Sequence, residues 1–498
     1  MIFLTLKIPG SLHRILDKKN VGIYLSAAFF SAAISWLDFP DTISPLGSRL
    51  IIVLVSMLII WITESVDYST SAFFLIGIFT LALMDCPDPS GDWQPIGSRE
   101  ALGMALSGFS SEAWILVTAA LIMASVAREA GLGERIAYYI LLAAGPKPGR
   151  ILLGTLIMSY LSSIFIPAQA ANAALMCTVA LGILEVYKIS RDHNFARAEM
   201  LMVAFGTGIA GIGIQTSGAP TIQTANYLAA AGHPISWLSW ALYGLPFSIT
   251  AGLILFGLIY FSFPVRQFPG DTGLIRQKLL AMGRISPAEI KLALIMLATT
   301  AMWATEQKLH GIDGSTVAVF SVMVIFLPFV RITTWERLVK TINWGTLFLF
   351  GAAISLGQWI LKSGAAAWVA QNSISLLNLE KMSLLPLTAI SVGLFSLMSL
   401  TFSARAAAVA ALVPAAIGFS QGLAQSHGVT VWGYTFILYC AIQYSVLLPV
   451  NTPMSMIAYS TETFSARDML RIGAPLVIIL TLVLLLFSRT YWKWLGLV

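Results

Sequence analysis

Charged residues are scarce in this chain. Only 10% of its 498 residues are Asp, Glu, Lys or Arg, whereas 57% are hydrophobic. A soluble globular domain carries roughly 25% charged residues. Apolar segments such as "RLIIVLVSMLIIWI" and "PLVIILTLVLLLFS" recur along the whole length, and about 20 such residues cross a hydrocarbon core of about 30 Å. The composition therefore predicts a multi-pass integral membrane protein and excludes a large soluble domain.

The chain is also poor in the residues that build catalytic and metal centres. It has three cysteines and five histidines, with no CxxC pair and no HExxH motif. A catalytic nucleophile needs a base within reach, but the five histidines fall in predicted loops or tails, at His13, His193, His233, His310 and His427. We therefore predict that the chain is not an enzyme and carries no cofactor.

The apolar runs are continuous, whereas a membrane β-barrel would show short alternating strands. We predict an all-α membrane protein of about eleven to thirteen helices. The net charge of +6 comes from Lys and Arg scattered over short loops, which argues against a nucleic-acid partner. The positive-inside rule places the N-terminus and the central loop in the cytoplasm, and the membrane of a bacterial chain would be the inner one. The basic residues are Lys7, Arg14, Lys18, Lys19, Arg266, Arg276, Lys278 and Arg284.

Three landmarks repeat between the two halves of the chain. Gly131 corresponds to Gly364 and Pro220 to Pro453, both at a spacing of 233 residues (364 − 131 and 453 − 220). Gly244 and Gly473 open the last long helix of each half. Duplicated halves with Gly- or Pro-interrupted apolar segments are typical of secondary transporters, whose site lies between the repeats. We predict two repeats, inverted relative to each other if each has an odd number of spans.

The pattern of spans and polar stretches gives a domain plan. It comprises a cytoplasmic N-terminal segment (1–20), N-terminal scaffold helices (21–111), a first repeat (112–264), a cytoplasmic linker (265–288), helices leading into the second half (289–342) and a second repeat (343–498).

One tract in each half is too rich in small residues and prolines to be a plain lipid-facing helix. The first is "SSIFIPAQAANAALMCTVALGI" and the second is "SLTFSARAAAVAALVP". Each breaks at a polar cluster, formed by Gln169 and Asn172 in one half and by Ser403 and Arg405 in the other. A break at membrane depth must be buried in protein or face a cavity. These residues are candidate substrate ligands, although Gln169 and Asn172 could instead bond across tightly packed helices.

Arg405 has two interpretations. A guanidinium in a membrane helix costs about 2.5–3.5 kcal/mol on insertion scales, so it needs a partner or a cavity. The partner could be a carboxylate near an apolar span, namely Glu64, Glu129, Glu185 or Glu306. Alternatively, the guanidinium binds an anionic substrate, for which its fork of donors is suited.

A second pair of breaks follows later in each half, at "IGIQTSGAPTIQTAN" and "LLPVNTPMSMIAY". Proline breaks the helical ladder there, so hydroxyls, an amide and open carbonyls become available as ligands. We predict substrate contacts at Ser217, Pro220, Thr452 and Pro453, and ion ligands at Thr216, Gly218 and Asn451.

Four motifs resemble the divalent anion:sodium symporters, which carry dicarboxylates, citrate or sulfate. "WITESVDYSTSAF", "TINWGTLFLFGAAISLG", "LLPVNTPMSMIAY" and "FSARDMLRIGAPL" match family segments, and the resemblance covers nearly the whole chain. It implies a homodimer with a scaffold domain and a moving transport domain. It also implies two re-entrant hairpins whose tips form the site, with Na⁺ as the coupling ion.

The hairpin tips depart from the family, which carries Ser-Asn-Thr at both. The first tip reads Ala168-Gln169-Ala170, and the second reads either Ala404-Arg405-Ala406 or Ser403-Ala404-Arg405, depending on register. Asn451 and Ser455 replace the Gly and Asn of the family's "GTPPN" segment. A fixed cation at Arg405 can supply the positive charge of a bound sodium ion but cannot be released at each face. We therefore expect an anion transporter that favours anion exchange or proton-linked movement over sodium symport. The alternative is a non-transporting sensor derived from the same fold.

Overall fold

The computed structural model describes residues 42–63, 66–88, 94–166, 168–265, 273–376 and 382–498. Within these ranges the ordered elements are helices, and one isolated antiparallel bridge joins Pro87 to Pro95. The predicted cytoplasmic segment 1–20 and Glu64 lie outside these ranges. The all-helical prediction is confirmed.

The helices before the central linker fall into two groups. The first comprises α1 (Pro45–Thr63), α2 (Tyr68–Leu83) and α3 (Ser98–Leu106). The second comprises α4 (Glu112–Ala130), α5 (Leu132–Ala144), α6 (Pro148–Phe165), α7 (Gln169–Val186), α8 (Asn194–Ile212), α9 (Ala219–Ala230) and α10 (Trp237–Ser262).

The linker and the helices after it come next. They are α11 (Gly273–Ala281), α12 (Pro287–Thr305), α13 (Gly314–Phe326) and α14 (Trp335–Leu338). The last group comprises α15 (Trp344–Lys362), α16 (Ala365–Leu376), α17 (Leu384–Ser399), α18 (Arg405–His427), α19 (Val431–Tyr444), α20 (Pro453–Tyr459), α21 (Ala466–Arg489) and α22 (Tyr491–Trp494). The predicted linker therefore contains a helix, α11, which packs against α5 and is tied to α7 by an ion pair between Lys278 and Glu185.

Eight helices of the described chain are long and apolar enough to cross a membrane, and four shorter apolar helices accompany them. The total of twelve apolar helices in the described ranges lies within the predicted eleven to thirteen. α8 is the most enclosed of the eight, because 89% of the residues in its apolar stretch are buried inside the protein. In α12 and α21 the corresponding share is 28%. α8 is thus an interior helix, and the other two expose most of their surface to the surroundings.

The seven helices α4–α10 correspond in order to α15–α21. Gly131 separates α4 from α5 and Gly364 separates α15 from α16, and both have left-handed φ values of 75° and 77°. Such values favour glycine because it has no Cβ. Pro220 and Pro453 occupy the first turn of the short helices α9 and α20. Backbone N–H groups in the first turn have no partner within the helix, so the missing N–H of proline costs nothing there. The duplication read from the sequence is thus present in the order of the helices.

Gly244 and Gly473 lie inside α10 and α21, about two turns after each begins, and not at their first residues as predicted. A Cβ at Gly244 would lie 3.0 Å from the Cα of Gly213, and one at Gly473 would lie 2.6 Å from the carbonyl oxygen of Val446. Glycine thus allows the last long helix of each half to approach the chain just after α8 or α19. The repeated glycine is therefore explained by the close approach of two chain segments and not by the start of a helix.

The halves are interleaved. α7 of the first half packs against α20 of the second, and α18 of the second packs against α9 of the first. Each long helix that follows a hairpin break therefore contacts the short helix of the opposite half. The four breaks are brought to one region by this crossed packing.

Candidate functional site

The first hairpin break separates α6 from α7, and Gln169 is the first residue of α7. Its side chain lies against Gly211 and Gly218, where a Cβ on Gly218 would come within 3.0 Å of the Gln169 Cγ. Gln169 is 7% exposed, and its Nε2 has no hydrogen-bond partner among the described residues. An amide donor buried without a partner costs free energy, so a ligand that accepts this hydrogen bond would be stabilised.

Asn172 lies one turn further along α7. Its Nδ2 donates to the Ser163 hydroxyl on α6 at 3.3 Å, while its Oδ1 has no partner among the described residues. Gln169 and Asn172 therefore present one free donor and one free acceptor at the first break. Asn172 thus makes one hydrogen bond across helices, as the helix-packing alternative predicts, and keeps its Oδ1 available.

The second hairpin break separates α17 from α18, and Arg405 is the first residue of α18. Its guanidinium is 2% exposed and is held by backbone carbonyls. Nη1 donates to Ile442 at 2.8 Å and Ser399 at 3.4 Å, and Nη2 donates to Ser445 at 2.5 Å. Nε has no partner. Ser403 is also buried at this break. The guanidinium is thus fixed in direction and keeps donor capacity.

No carboxylate of the described chain pairs with Arg405. The four ion pairs there are Arg135–Glu289, Arg191–Glu462, Lys278–Glu185 and Arg337–Glu129. Of the four glutamates that could have neutralised it, Glu129 and Glu185 are thus paired elsewhere and Glu306 makes no ion pair. Arg405 therefore places a positive charge inside the protein that no ion pair with a described residue neutralises.

The later break of the second half is organised by Asn451. Its Oδ1 accepts from the backbone N–H groups of Leu447 and Leu448 at 3.1 and 2.8 Å, and its Nδ2 donates to the Leu400 carbonyl at 2.8 Å. Asn451 thereby ties this break to the hairpin break beside Arg405. Next to it, the Thr452 hydroxyl donates to Ser455 Oγ at 2.7 Å and caps α20.

The later break of the first half carries Thr216, Ser217, Gly218 and Pro220. Ser217 Oγ donates to the Gly211 carbonyl at 2.8 Å, beside Gln169. Thr216 Oγ1 accepts from Trp237 Nε1 at 3.1 Å. The polar side chains of this break therefore hydrogen-bond to the neighbouring chain. Gly218, which has no side chain, leaves space for Gln169.

Thr216 also lines a cavity of about 190 Å³ with three carboxylates, those of Glu112, Glu306 and Asp313. Burial raises the pKa of Glu306, with the neighbouring Asp313 carboxylate adding to the rise and His310 opposing it. Within the described ranges, no group of three or more His, Cys, Asp or Glu side chains is placed to hold a metal ion.

Four helix N-termini begin at these breaks, and three have no side-chain cap. α7, α9 and α18 have Ala168, Gly218 and Ala404 at their capping positions, and these residues have no side-chain oxygen that could accept a capping hydrogen bond. In α20, the Thr452 side chain accepts one. Uncapped N-terminal N–H groups and the positive end of the helix dipole attract anions. Together with Arg405, they make this interior region electropositive.

The predicted residues thus form two clusters, one per half. Gln169 lies beside Ser217 and Gly218 in the first. In the second, Arg405 and Asn451 donate to the neighbouring carbonyls of Ser399 and Leu400 at the end of α17. The crossed packing of α7 on α20 and of α18 on α9 links the clusters.

Sequence reasoning missed one buried carboxyl, Glu199 on α8, which has no exposed surface. Its Oε1 accepts a hydrogen bond from Thr155 Oγ1 on α6. The available signal was weak, because "NFARAEM" places Glu199 near Arg197 in what reads as the polar entry to a span.

Comparison with known proteins gives consistent results. A family model described as the sodium:sulfate symporter transmembrane region matches residues 18–498. A membrane protein of Cupriavidus necator is 33% identical over 460 residues, covering 92% of this chain and 89% of that protein. The sodium-dependent dicarboxylate transporter SdcS of Staphylococcus saprophyticus is 24% identical over 479 residues, covering 91% and 87%.

Among solved structures, the YdaH transporter of Alcanivorax borkumensis superposes with a TM-score of 0.52 at 13% identity. The match covers 85% of this chain and 97% of that one. At this identity the likeness concerns the fold alone.

Proposed function

Because the chain belongs to the sodium:sulfate symporter family and is a membrane transporter of the dicarboxylate or sulfate type, we propose that Arg405 holds its anionic substrate. The observation that carries this proposal is the charge of Arg405, which is buried, aimed by three carbonyls and not neutralised by any described carboxylate. A buried charge is stabilised by an opposite charge brought to it, and a di- or tricarboxylate or sulfate anion supplies one.

The remaining ligands of the proposed site come from both clusters. An anion would be stabilised by the free Nε2 donor of Gln169 and by the uncapped N-termini of α7, α9 and α18. The free Oδ1 of Asn172 would accept a hydrogen bond from a substrate hydroxyl or a protonated carboxyl. We assign the other substrate contacts to Ser403, Thr452, Pro453, Ser217 and Pro220. Thr216, Gly218 and Asn451 are the corresponding candidates for a coupling ion.

We further propose that anion exchange is the main transport mode. The relative SdcS is sodium-dependent, which makes Na⁺ a plausible coupling ion here too. Arg405, however, provides a permanent positive charge where the family's tips would bind sodium. A tethered charge stays on the carrier in both orientations. Once the substrate has left, the emptied carrier returns readily only when another ion balances that charge, and at equal pH this ion is a second anion.

At the scale of the molecule, we propose alternating access by an elevator movement of a transport domain against a scaffold domain, in a homodimer. The proposed membrane is the bacterial inner membrane, with the N-terminus in the cytoplasm. Repeats 112–264 and 343–498 are assigned inverted orientations. The relatives with named activities are transporters, and no observation favours the alternative of a non-transporting sensor or an enzymatic role.

The test is uptake of labelled succinate, citrate and sulfate into proteoliposomes, with and without sodium and with and without internal anion. At equal pH on both sides, we expect uptake to require internal anion and to ignore sodium. Arg405→Ala should lower it at least about tenfold, because truncating one partner of a buried charge contact costs roughly 2–5 kcal/mol. Arg467→Ala, which removes an exposed guanidinium on α21, is the matched control. Sodium-driven uptake that survives in Arg405→Ala would show that Arg405 is structural.

A further inference from the structure

Glu199 is an ionisable group enclosed in the interior of the molecule. It has no exposed surface and lies on α8, the most enclosed of the long apolar helices. One carboxyl oxygen accepts from Thr155, and the other, Oε2, has no hydrogen-bond partner among the described residues. A carboxyl with an unpartnered oxygen in an apolar interior favours its neutral, proton-carrying form.

The helices that pack against α8 provide no cation for Glu199. They are α6, α7, α10, α19 and α20, and their charged residues are Arg150 and Glu185, both exposed at helix ends. On α8 itself Arg197 is only two residues away and therefore points to another side of the helix. The other titratable groups on these helices are Tyr160, which donates to the Ser248 carbonyl, and Cys177, Tyr243, Tyr260, Tyr434, Tyr439, Cys440, Tyr444 and Tyr459.

A line of hydroxyl groups runs from Glu199 to the first hairpin break. Thr155, Ser159 and Ser163 are spaced four residues apart on α6, so they share one face of the helix, and all three are buried. Eight residues of helix cover roughly 12 Å. Thr155 donates to Glu199 at one end, and Ser163 accepts from Asn172 at the other. Ser159 and Ser163 donate to the backbone carbonyls of Thr155 and Ser159, so the three hydroxyls form a polar stripe on α6 between the enclosed carboxyl and Asn172.

We propose that Glu199 is a proton-binding site that couples net anion movement to a proton. The carboxylate takes up one proton when the anion binds and releases it to the other side when the anion leaves; no other bond changes. The charge balance explains the order. While a bound anion offsets the charge of Arg405, burial keeps the proton on Glu199, and once the anion has left, the uncompensated charge of Arg405 favours loss of that proton. This inference rests on the proposed anion transport but adds a separate site and a driving ion.

The experiment uses the full chain in proteoliposomes and compares Glu199→Gln with the wild type. Two assays are run: anion exchange at equal pH, and accumulation of the labelled anion that exchanges best, driven by an inside-alkaline gradient without internal anion. Because one proton per dianion still moves one negative charge, the membrane potential is clamped at zero, and the proton then allows about hundredfold accumulation for a gradient of about two pH units. Glutamine keeps an oxygen that can accept from Thr155 but cannot bind and release the proton. Glu185→Gln, an exposed carboxyl on α7, is the control.

We expect the wild type and Glu185→Gln to accumulate anion with the gradient and to take up protons measured by external alkalinisation. Glu199→Gln should exchange anion within about threefold of the wild-type rate, yet lose accumulation down to simple equilibration. Accumulation that persists in Glu199→Gln, or a wild type whose uptake ignores the gradient while exchange proceeds, overturns the inference. Absence of anion exchange in the wild type instead overturns the proposed transport function.

Should Glu199→Gln fail to fold, Thr155→Val gives the second readout. The Thr155 hydroxyl stabilises the ionised carboxyl, so its removal should move the pH midpoint of gradient-driven uptake upward. An unchanged midpoint would contradict a role for Glu199.

Discussion

Gly418 allows two helices of the second half to meet backbone to backbone. A Cβ at this position would lie 2.5 Å from the carbonyl carbon of Ala366, at the start of α16. Backbone atoms cannot move aside as a flexible side chain can, so we expect Gly418→Ala to destabilise the protein by about 1–3 kcal/mol. The melting temperature in detergent measures this. Gly393→Ala is the control, because a Cβ there meets nothing within 4 Å and alanine favours the helix. Equal effects would contradict the close approach.

Asn451 gives a second prediction at the scale of one residue. Asn451→Ala leaves the Leu400 carbonyl and the N–H groups of Leu447 and Leu448 without their partner. Unsatisfied buried groups cost about 1–3 kcal/mol each, so we expect a lower melting temperature and weaker anion binding, since the same break supports Arg405. Asn372→Ala, which removes an exposed amide from α16, should change neither. A stable Asn451→Ala variant with unchanged binding would show that the break does not depend on this side chain.

The sequence located both polar breaks but could not define their partners. Pro, Gly and Ala beside isolated polar residues predicted the interruptions near Gln169 and Arg405. The carbonyls that hold Arg405 belong to Ile442 in α19 and to Ser445 directly after it, and they contact Arg405 only through tertiary packing. Glu199 was overlooked because burial depends on the surrounding helices and leaves no local pattern. Whether the assigned residues bind substrate stays a prediction.

Among the helical elements, the sequence predicted class and order better than contacts. Long apolar runs predict membrane-spanning helices reliably. The positive φ of Gly131 and Gly364 is a conformation that glycine adopts freely. The linker reads as polar loop because α11 is short and carries a basic residue, Lys278, whose partner Glu185 lies 93 positions earlier. Such long-range pairing is not encoded in local periodicity.

One prediction concerns the contact between α5 and α12. Arg135 Nε donates to Glu289 Oε1 at 2.6 Å, and both side chains are nearly inaccessible. Nη1 also donates to the Gly283 carbonyl at 3.0 Å. Removing one partner of a buried ion pair costs about 3–5 kcal/mol, because the other charge is left unpaired. We expect Arg135→Met to lower the melting temperature strongly and the double variant with Glu289→Leu to recover much of the loss.

The exposed pair Arg337–Glu129 is the control for this cycle. It spans 3.5 Å, and the Arg337 side chain is 73% exposed, so Arg337→Met should cost about 1 kcal/mol or less. If Arg135→Met is as mild as Arg337→Met, or if the double variant is no better than the single one, the buried pair does not fasten α5 to α12.

For the whole molecule, the crossed packing has a thermodynamic consequence. α7 and α9 each bury part of their surface against helices of the second half. α18 and α20 likewise bury part of theirs against helices of the first half. Each half alone would expose small-residue surfaces and the polar breaks, which lipid cannot satisfy. The halves therefore act as one folding unit, although the sequence repeats.

This consequence can be tested by dividing the chain within 266–272, between α10 and α11. We expect fragments 1–268 and 269–498 to copurify when coexpressed and to restore anion exchange, whereas each alone should aggregate or be degraded. A second fragment shortened to 269–448 lacks α20 and α21, so it removes the contact between α7 and α20 while keeping that between α18 and α9. It should bind the first fragment more weakly. Independent, monodisperse halves that fail to copurify would contradict the crossed arrangement.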